Sequence, residues 1–460
     1  MEAMMDLGEA AQGAGGEARG ANASFSAVSS DTRTIKDGAL FVALRGQRYD
    51  GHEYLAAARA RGAVAAMVDR RTLSVGGDAP LPLLIVDDTR FGLGRLAAYW
   101  RRKFKLPLIA VTGSNGKTTV KEMIASILAE HAGAGRWYAT PGNLNNDIGL
   151  PLTLLGLRAE HSCAVVELGM NHAGETGYLA GIAQPTVALV NNAQREHQEF
   201  MQSVEEVAHE HGAVFAALPA DGVGVINADD SYAEYWRGVC APKRVLDFGL
   251  DRSAAVGGRF ELRDFGSDIE LRTPIGEAAV SLRAAGAHNV RNALAAAAAA
   301  SAAGVDLAAI ARGLAAFEPV QGRLQKKSAK CGAIVIDDTY NANPDSVIAA
   351  IEVLARAAGA KFLVLGDMGE VGAHGPAFHA EIGRYARAAG IDRLFVLGDL
   401  CTHAVAAYGE GAGRYGDIDA LLAALEPCLG ADVTVLVKGS RSMRMERIVQ
   451  ALTGAPAGGH

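Results

Sequence analysis

The sequence predicts an α/β protein built from three domains. Short apolar segments alternate with helical segments along most of the chain, which predicts parallel sheets with helices on their faces. This alternation restarts after Pro107 and again after Pro319, and 460 residues correspond to about three domains of roughly 150 residues each. We therefore expect a small mixed α/β domain over 1–88, a central parallel-sheet domain over 89–317 and a Rossmann-like doubly wound domain over 318–460.

The first segment combines buried strands with an Ala-rich helix. The helix, over 55–61, stops at Gly62, because glycine readily takes the left-handed conformation that ends helices. Asp88 offers an N-cap for a second helix that runs to about Lys105. The predicted strands are 40–44, 64–68 and 83–86.

The other two segments show the same alternation with one interruption. Residues 260–282 carry alternating strand-like stretches and predict a small antiparallel insert, and 289–303 is a closely packed Ala helix that stops at Gly304. The predicted parallel strands are 108–111, 164–167, 186–190 and 224–227 in the central segment and 333–337, 361–366, 393–398 and 433–437 in the last.

Composition excludes several classes of protein. Half the residues are hydrophobic, so the chain is not disordered, and its net charge of −7 argues against nonspecific nucleic-acid binding. The sequence has no apolar stretch long enough to span a membrane and no secretory signal at its start. The five cysteines form no C-x-x-C pair, so we expect five buried thiols in a reducing compartment, and we predict a cytoplasmic monomer.

The strongest motif is a glycine-rich loop between the strand 108–111 and a helix over 120–130. Gly113 and Gly116 let backbone N–H groups close around phosphate oxygens, and the helix N-terminus adds partial positive charge. Lys117 supplies a formal charge, and the Thr118 hydroxyl can reach Mg²⁺. The predicted phosphate-binding residues are Thr112, Gly113, Ser114, Asn115, Gly116, Lys117, Thr118 and Thr119.

Two further side chains follow predicted strands of the same sheet. Glu167 ends one strand and His197 comes shortly after another, so both fall at the edge where ligands bind in open α/β sheets. A carboxylate there suits Mg²⁺. Glu167 could instead cap a helix, and a single loop histidine is often an ordinary surface residue.

These motifs resemble those of the Mur ligases and the folylpolyglutamate synthetases, which share the compact loop T-G-x-N-G-K-T-T. Further matches follow in order along nearly the whole chain: N-x-N-N at 143–146, E-L-G-M-N at 167–171, G-x-H-N-x-x-N at 286–292 and D-D-x-Y-N-A-N-P-D-S at 337–346. The last motif is closest to the Mur ligase that adds D-alanyl-D-alanine. The resemblance implies that the central segment is a P-loop ATPase domain.

The resemblance implies an ATP- and Mg²⁺-dependent ligase that joins D-alanyl-D-alanine to UDP-N-acetylmuramoyl-tripeptide through an acyl phosphate. It implies Lys117, Glu167, His197 and Arg323 as catalytic residues and Thr118, Glu167 and His197 as metal ligands. To the ATP site it adds Asn292, Arg323, Asp338, Tyr340 and Asn341. The implied substrate-binding residues are Ser30, Asp31, Arg33, Asp50, Gly51, His52, Asn145, Asn146, Asn343, Asp345 and Ser346.

One departure from the family pattern concerns a lysine. Many Mur ligases carry a carbamoylated lysine on the helix after the metal-binding histidine, but this sequence has no lysine between Lys121 and Lys243. Our hypothesis is that Glu210 or His211 holds a second Mg²⁺ or a bridging water; the alternative is that His209 and His211 face solvent. Two other functions stay open at this point: a sibling ligase that adds a diamino acid or extends folate, and an ATP-binding regulator.

Overall fold

The N-terminal part of the computed structural model is a five-stranded mixed sheet; the structure describes residues 3–71 and 79–454. Its elements are β1 (Met5–Asp6), α1 (Leu7–Ala14), β2 (Glu17–Arg19), β3 (Ser24–Phe25), β4 (Ala27–Ser29), β5 (Ala39–Val42), α2 (Leu55–Ala60), β6 (Ala63–Asp69) and β7 (Leu83–Val86). The strand order is β2-β7-β6-β5-β4, in which only β2 is antiparallel to its neighbour, and β1 pairs with β3 in a small separate sheet.

The central sheet has six strands, all parallel. The elements are α3 (Thr89–Arg101), β8 (Leu108–Thr112), α4 (Lys117–Ala132), β9 (Trp137–Ala139), α5 (Gly149–Leu154), β10 (Cys163–Glu167), α6 (Glu175–Ala183), β11 (Val187–Val190), α7 (Val204–Gly212), β12 (Val223–Asn227), α8 (Ala233–Cys240) and β13 (Arg244–Phe248). The strand order is β13-β12-β11-β8-β10-β9. Because β8 lies between β10 and β11, the chain reverses its winding direction there, and the end of β8 is the expected ligand crevice.

The predicted antiparallel insert and Ala helix are both present. The insert is a three-stranded antiparallel sheet, and it packs with α4 and the two following helices over one face of the central sheet. The Ala helix lies deep in the protein, where residues 295–300 are fully buried, because its alanine side chains are small. The elements are β14 (Gly257–Arg263), β15 (Gly266–Thr273), β16 (Gly276–Leu282), α9 (Ala287–Ala302) and α10 (Leu307–Ala316).

The C-terminal sheet is doubly wound and has six strands. The elements are β17 (Gln325–Ser328), β18 (Ile334–Asp338), α11 (Pro344–Ala355), β19 (Ala360–Gly366), α12 (Gly375–Ala388), β20 (Arg393–Leu397), α13 (Cys401–Tyr408), β21 (Ala412–Tyr415), α14 (Ile418–Leu425), β22 (Val433–Lys438) and α15 (Glu446–Thr453). The strand order is β17-β18-β22-β19-β20-β21, and only β17 is antiparallel to its neighbour. Helices α11, α12 and α13 cover one face, and α14 and α15 cover the other.

The helix α3 differs from its prediction at one end. Asp88 caps it as expected, accepting the backbone N–H groups of Arg90 and Phe91, but the helix ends at Arg101 rather than near Lys105. The buried guanidinium of Arg101 donates to backbone carbonyls that follow the helix or lie beyond it, including Phe104 O at 2.6 Å and Ala183 O at 3.1 Å. These bonds replace the continued helical ladder.

The same helix joins the first two sheets. It packs on α1 on one side and on α5 and α6 on the other, within one continuous hydrophobic core. The predicted boundary at residue 88 and the one at 317 therefore stay predictions. Two of the five predicted burials were wrong, because Cys331 is exposed and Cys428 is half-buried. In the described parts of the chain, every helix is too short or too polar to span a lipid bilayer.

Candidate active site

The glycine-rich loop connects β8 to α4 at the switch point of the central sheet. Gly113 and Gly116 have φ values of 129° and 83°, a region that side chains rarely adopt. A Cβ at Gly116 would also lie 2.5 Å from Asn292 Oδ1, so this helix start can only pack with glycine there. The predicted loop thus has the backbone that a phosphate cradle requires.

Glu167 and Thr118 meet at the inner wall of the cleft. Thr118 Oγ1 donates to Glu167 Oε1 at 3.2 Å, and Asn145 Nδ2 donates to the same oxygen at 2.7 Å. In the described part of the chain, Glu167 Oε2 is buried without a hydrogen-bond partner. A buried carboxylate oxygen normally has a partner, so this oxygen and its hard-oxygen neighbours fit a divalent cation such as Mg²⁺.

The ammonium of Lys117 is folded back onto its own loop. Nζ donates to Gly113 O and to Ser114 O, the latter at 3.1 Å, and lies 3.3 Å from Glu196 Oε2. Only 15% of the Lys117 side chain is exposed. The lysine is therefore held beside the phosphate cradle by partners that a phosphate could replace.

Glu196 is a buried carboxylate surrounded by cationic or polarisable groups. Its Oε1 lies 2.9 Å from His211 Nε2, and its Oε2 lies 3.5 Å from His197 Nε2. Burial would raise the pKa of Glu196, but Lys117, His211 and His197 together lower it to about 2. Glu196 is therefore an anion at neutral pH.

His211 lies behind Glu196 and is completely buried. Its Nδ1 is 3.0 Å from Thr112 Oγ1, at the end of β8. Burial lowers the pKa of His211, an effect that Glu196 only partly opposes, so the ring is neutral at pH 7. A tautomer with the proton on Nε2 donates to Glu196 and accepts from Thr112, which satisfies both ring nitrogens.

The C-terminal domain supplies the opposite wall of the cleft. Arg323 Nη2 donates to Thr118 Oγ1 at 3.1 Å, and its guanidinium stacks 4.1 Å from the centre of the Tyr340 ring. Asn343 Nδ2 donates to Asn115 Oδ1 at 2.9 Å. The loop and the C-terminal domain are thus in direct contact across the phosphate cradle.

Arg195 makes a second bridge between these domains. It forms a 2.7 Å ion pair with Asp345 at the start of α11 and another with Glu381 on α12. The predicted substrate residue Asp345 therefore also holds the two domains together.

A further contact between these domains joins Glu370 and His197. Glu370 Oε2 lies 2.6 Å from His197 Nδ1, and this contact lowers the pKa of Glu370 even though burial acts in the other direction.

Most of the predicted site residues line one cleft of about 790 Å³. The predicted residues Thr112 and Gly113, at the start of the loop, are not among the residues that line the cleft. Asn292 is buried at the cleft wall and accepts from Asn191 Nδ2 at 2.9 Å. The predicted residues that line the cleft are Ser114, Asn115, Gly116, Lys117, Thr118, Thr119, Asn145, Asn146, Glu167, His197, Asn292, Arg323, Asp338, Tyr340, Asn341, Asn343, Asp345 and Ser346.

The predicted residues of the first domain lie elsewhere. Ser30, Asp31 and Arg33 follow β4 at the surface, while Asp50 pairs with Arg45 at 2.6 Å and with His52 at 2.5 Å. The same cluster includes Asp69, whose backbone N–H donates to His52 Nε2. A Cβ on Gly51 would lie 2.7 Å from the backbone of Leu44, so this turn is tightly closed. The role of these predicted first-domain residues in binding the UDP-sugar stays a prediction.

The hypothesis for Glu210 does not match its contacts. Both carboxylate oxygens accept backbone N–H groups at the start of α6, from Gly174 at 2.8 Å and Thr176 at 2.6 Å. Glu210 thus caps the start of α6 and is not among the residues that line the cleft, and the carboxylate that contacts His211 is Glu196 instead. His209 is exposed as the alternative expected, whereas His211 is buried.

Two functional residues of the cleft, Glu196 and Lys438, were not predicted from the sequence. Glu196 immediately precedes the predicted metal ligand His197, and that adjacency was the available signal. Lys438 donates to Asp338, which fixes the loop after β18, and it also donates to Asn341 O at 2.9 Å. Lys438 follows an apolar strand in the same way as Glu167 does, so the strand-end rule applies to it as well.

Fold and cleft together define an α/β protein with a phosphate-binding loop whose site is completed by a second α/β domain. Three family models match the chain in order: "Mur ligase family, catalytic domain" over residues 24–101, "Mur ligase middle domain" over 111–300 and "Mur ligase, glutamate ligase domain" over 322–441. The chain belongs to the Mur ligase family.

Named relatives extend over almost the whole chain. UDP-N-acetylmuramoyl-tripeptide–D-alanyl-D-alanine ligase of Escherichia coli K12 is 41% identical over 95% of this chain and 96% of its own. The crystal structure of MurF from Acinetobacter baumannii matches with a TM-score of 0.91 and 33% identity, over 98% of this chain and 99% of that one. MurF ligase from Thermotoga maritima, in complex with ADP, matches with a TM-score of 0.80 and 26% identity, over 93% and 96%.

Proposed function

We propose that this chain is an ATP-dependent ligase that joins D-alanyl-D-alanine to UDP-N-acetylmuramoyl-tripeptide and so makes the UDP-linked pentapeptide for peptidoglycan synthesis. The relative that is 41% identical carries the name of this activity, and the ADP complex of a structural neighbour supports ATP as the nucleotide. We place the reaction in the cytoplasm and assign it to a monomer.

The contact between Arg323 and Thr118 is the observation that carries this proposal. It puts a guanidinium of the C-terminal domain 3.1 Å from the hydroxyl of the phosphate-binding loop, beside Lys117 and Glu167. Such a site brings cations from two domains to one phosphate position. A ligase needs this arrangement because it must bring an anionic carboxylate to an anionic phosphate.

Thr118, Glu167 and His197 would be ligands of Mg²⁺, and Thr118 and Glu167 would share one ion. The buried, unpartnered oxygen of Glu167 and the adjoining Thr118 hydroxyl fit such an ion among the described residues. When bound, Mg²⁺ would neutralise the charge of the nucleotide phosphates.

The chemistry has two steps. The tripeptide carboxylate attacks the γ-phosphorus of ATP, the bond to the β–γ bridging oxygen breaks, and acyl phosphate and ADP form. The amine of D-alanyl-D-alanine then attacks the acyl carbon, and inorganic phosphate leaves from the tetrahedral intermediate as the amine proton is lost.

The residues of the chain act on charge and position in these steps. Lys117 would exchange Gly113 O and Ser114 O for phosphate oxygens, and Arg323 would stabilise the transferred group from the opposite wall. Asn343, which bonds to Asn115 across the cleft, would keep the two walls closed and exclude water from the acyl phosphate. The first domain would bind the UDP-sugar through Ser30, Asp31, Arg33, Asp50, Gly51 and His52.

Phosphate release tests the proposed function. Purified protein with ATP and Mg²⁺ should release phosphate at a sustained rate only when both UDP-N-acetylmuramoyl-tripeptide and D-alanyl-D-alanine are present. Release without the dipeptide would contradict the proposal, as would equal rates with a diamino acid and the shorter UDP-dipeptide. Lys117→Met should lower the rate by about 10²–10³-fold because it removes a charge that stabilises the transition state. The exposed Lys105→Met is the matched control and should leave the rate unchanged.

A further inference from the structure

The carboxylate of Glu196 is the feature of the cleft that the proposed function leaves unexplained. Only 7% of its side chain is exposed, and it lines the same cleft as Lys117 and His197. It is therefore a buried negative charge at the place where a nucleotide would bring several more.

The charge balance around Glu196 changes when a nucleotide binds. The only full cation in contact with it in the described structure is Lys117, at 3.3 Å. A phosphate-bound Lys117 can no longer neutralise Glu196 alone, because the phosphate carries more than one negative charge. A buried carboxylate left beside a phosphate is strongly unfavourable, so another cation is needed there.

One carboxylate oxygen of Glu196 is fixed by a hydrogen bond, whereas the other is open to a metal ion. Oε1 receives the Nε2–H of His211, and His211 is itself fixed by Thr112 on β8. Oε2 lies 3.3 Å from Lys117 Nζ and 3.5 Å from His197 Nε2. This is the arrangement of a metal-binding carboxylate with a hydrogen-bonded supporting group.

We propose that Glu196, positioned by His211, is the anionic ligand of a second divalent cation that it shares with His197 next to the terminal phosphate of the nucleotide. The first cation would lie at Thr118 and Glu167. This inference rests on the proposed function, since it requires a bound nucleotide. It also gives this lysine-free stretch an anion that does not depend on a carbamate.

Counting bound Mn²⁺ tests the inference without turnover. Electron paramagnetic resonance titration of the full chain with a non-hydrolysable ATP analogue should give two Mn²⁺ per chain. Glu196→Gln keeps the size and removes the charge, so it should bind one. Glu199→Gln, an equal charge change at an exposed residue three positions away, should still bind two. Two unweakened sites in Glu196→Gln would overturn the inference and leave Glu196 as a mere partner of Lys117.

The positioning role of His211 has its own readout. His211→Ala should weaken the second Mn²⁺ site by about 10–100-fold, the usual cost of losing a supporting group. His211→Gln can still donate to Glu196 and should restore most of that affinity. Equal loss in both variants would contradict this role.

Two further measurements keep the outcomes distinct. If Glu196→Gln fails to fold, Glu196→Asp retains the charge with a shorter reach and should still bind two ions, the second more weakly. Removing bicarbonate should leave both sites of the wild type intact, and loss of the second site would assign it to a carbamate instead. If the wild type binds no nucleotide-dependent Mn²⁺ at all, the proposed function fails rather than the role of Glu196.

Discussion

Glu210 has a different role in the structure from the one that its neighbours in the sequence indicate. In the sequence it lies between two histidines on a helix next to a predicted metal ligand, and this spacing resembles a metal site. In the structure its two oxygens accept the N–H groups of Gly174 and Thr176, at the N-terminus of α6. The carboxylate is therefore satisfied by backbone donors and by the positive end of a helix.

We predict that Glu210→Ala lowers the free energy of unfolding by about 1–2 kcal/mol, because the N–H groups of Gly174 and Thr176 lose their acceptor at the start of α6. Urea denaturation measures this change, and the Mg²⁺ dependence of phosphate release should stay as in the wild type. Glu205→Ala removes an exposed carboxylate from the same helix and serves as the control. A loss of Mg²⁺ dependence in Glu210→Ala would restore the metal-ligand hypothesis.

Asp229 should make stability depend on pH. It accepts the backbone N–H groups of Leu250, Asp251 and Arg252 and pairs with Arg291 at 3.2 Å. Burial alone would raise its pKa, but these donors hold the pKa below the usual value. The stabilisation is therefore present above the unfolded pKa of about 3.9 and is lost as the pH falls through the folded pKa.

Comparing Asp229→Asn with the wild type checks this sign. The difference in free energy of unfolding should be large at pH 6 and shrink as the pH falls below about 4. Asp221→Asn, at an exposed aspartate, should show a small difference that does not change with pH. A difference for Asp229→Asn that grows toward acid would refute the assignment.

At the scale of elements, the close packing of α4 and α10 depends on one glycine. A Cβ on Gly313 would lie 2.4 Å from Ile127 Cα, whereas a Cβ on Gly181, which is exposed on α6, would meet nothing within 4 Å. Both glycines are in helices, so their intrinsic cost in a helix is the same, about 1 kcal/mol relative to alanine. Only tertiary packing distinguishes them.

We therefore expect opposite effects from the same substitution. Gly313→Ala should lower the free energy of unfolding by about 1–3 kcal/mol because the helices must separate. Gly181→Ala should raise it by up to about 1 kcal/mol through better helix propensity. Thermal and urea unfolding of the two variants measure these changes in the free energy of unfolding. A stabilised Gly313→Ala would show that the helices can adjust.

The sequence predicted the buried elements better than the edge elements. The central strands β8, β10, β11 and β12 appear close to the predicted bounds, because strands buried on both faces are continuous apolar runs. The edge strands β9, β13, β17 and β21 were not predicted. Two of them, Gln325–Ser328 and Ala412–Tyr415, read Q-K-K-S and A-G-R-Y, and their strand conformation comes from pairing with a neighbour.

At the scale of the whole molecule, Arg195 connects the central and C-terminal domains at the mouth of the cleft. Its side chain pairs with Asp345 and Glu381 and lies 5.2 Å from the centre of the Phe378 ring. All three partners belong to the C-terminal domain. The contact favours a closed arrangement in which Arg323 reaches the phosphate-binding loop.

Arg195→Gln should loosen this arrangement. We expect a larger radius of gyration by small-angle X-ray scattering and a lower kcat, because domain closure completes the site. Arg312→Gln breaks an ion pair of similar length, to Glu130, that lies within the central domain. It should leave both quantities unchanged, and an equally compact and active Arg195→Gln would argue against a closing role.

The sequence by itself determined the α/β class, the phosphate-binding loop and most of the cleft residues. It could do so because these features are local: apolar strands, a glycine turn and polar residues where strands end. Only the tertiary structure decided which carboxylate belongs to the site. Glu196 and Glu210 each lie next to a histidine in the sequence, but the loop after β11 places Glu196 beside Lys117, whereas α7 carries Glu210 to the start of α6. That choice depends on contacts between residues far apart in the chain, because the fold sets which donors surround each buried charge.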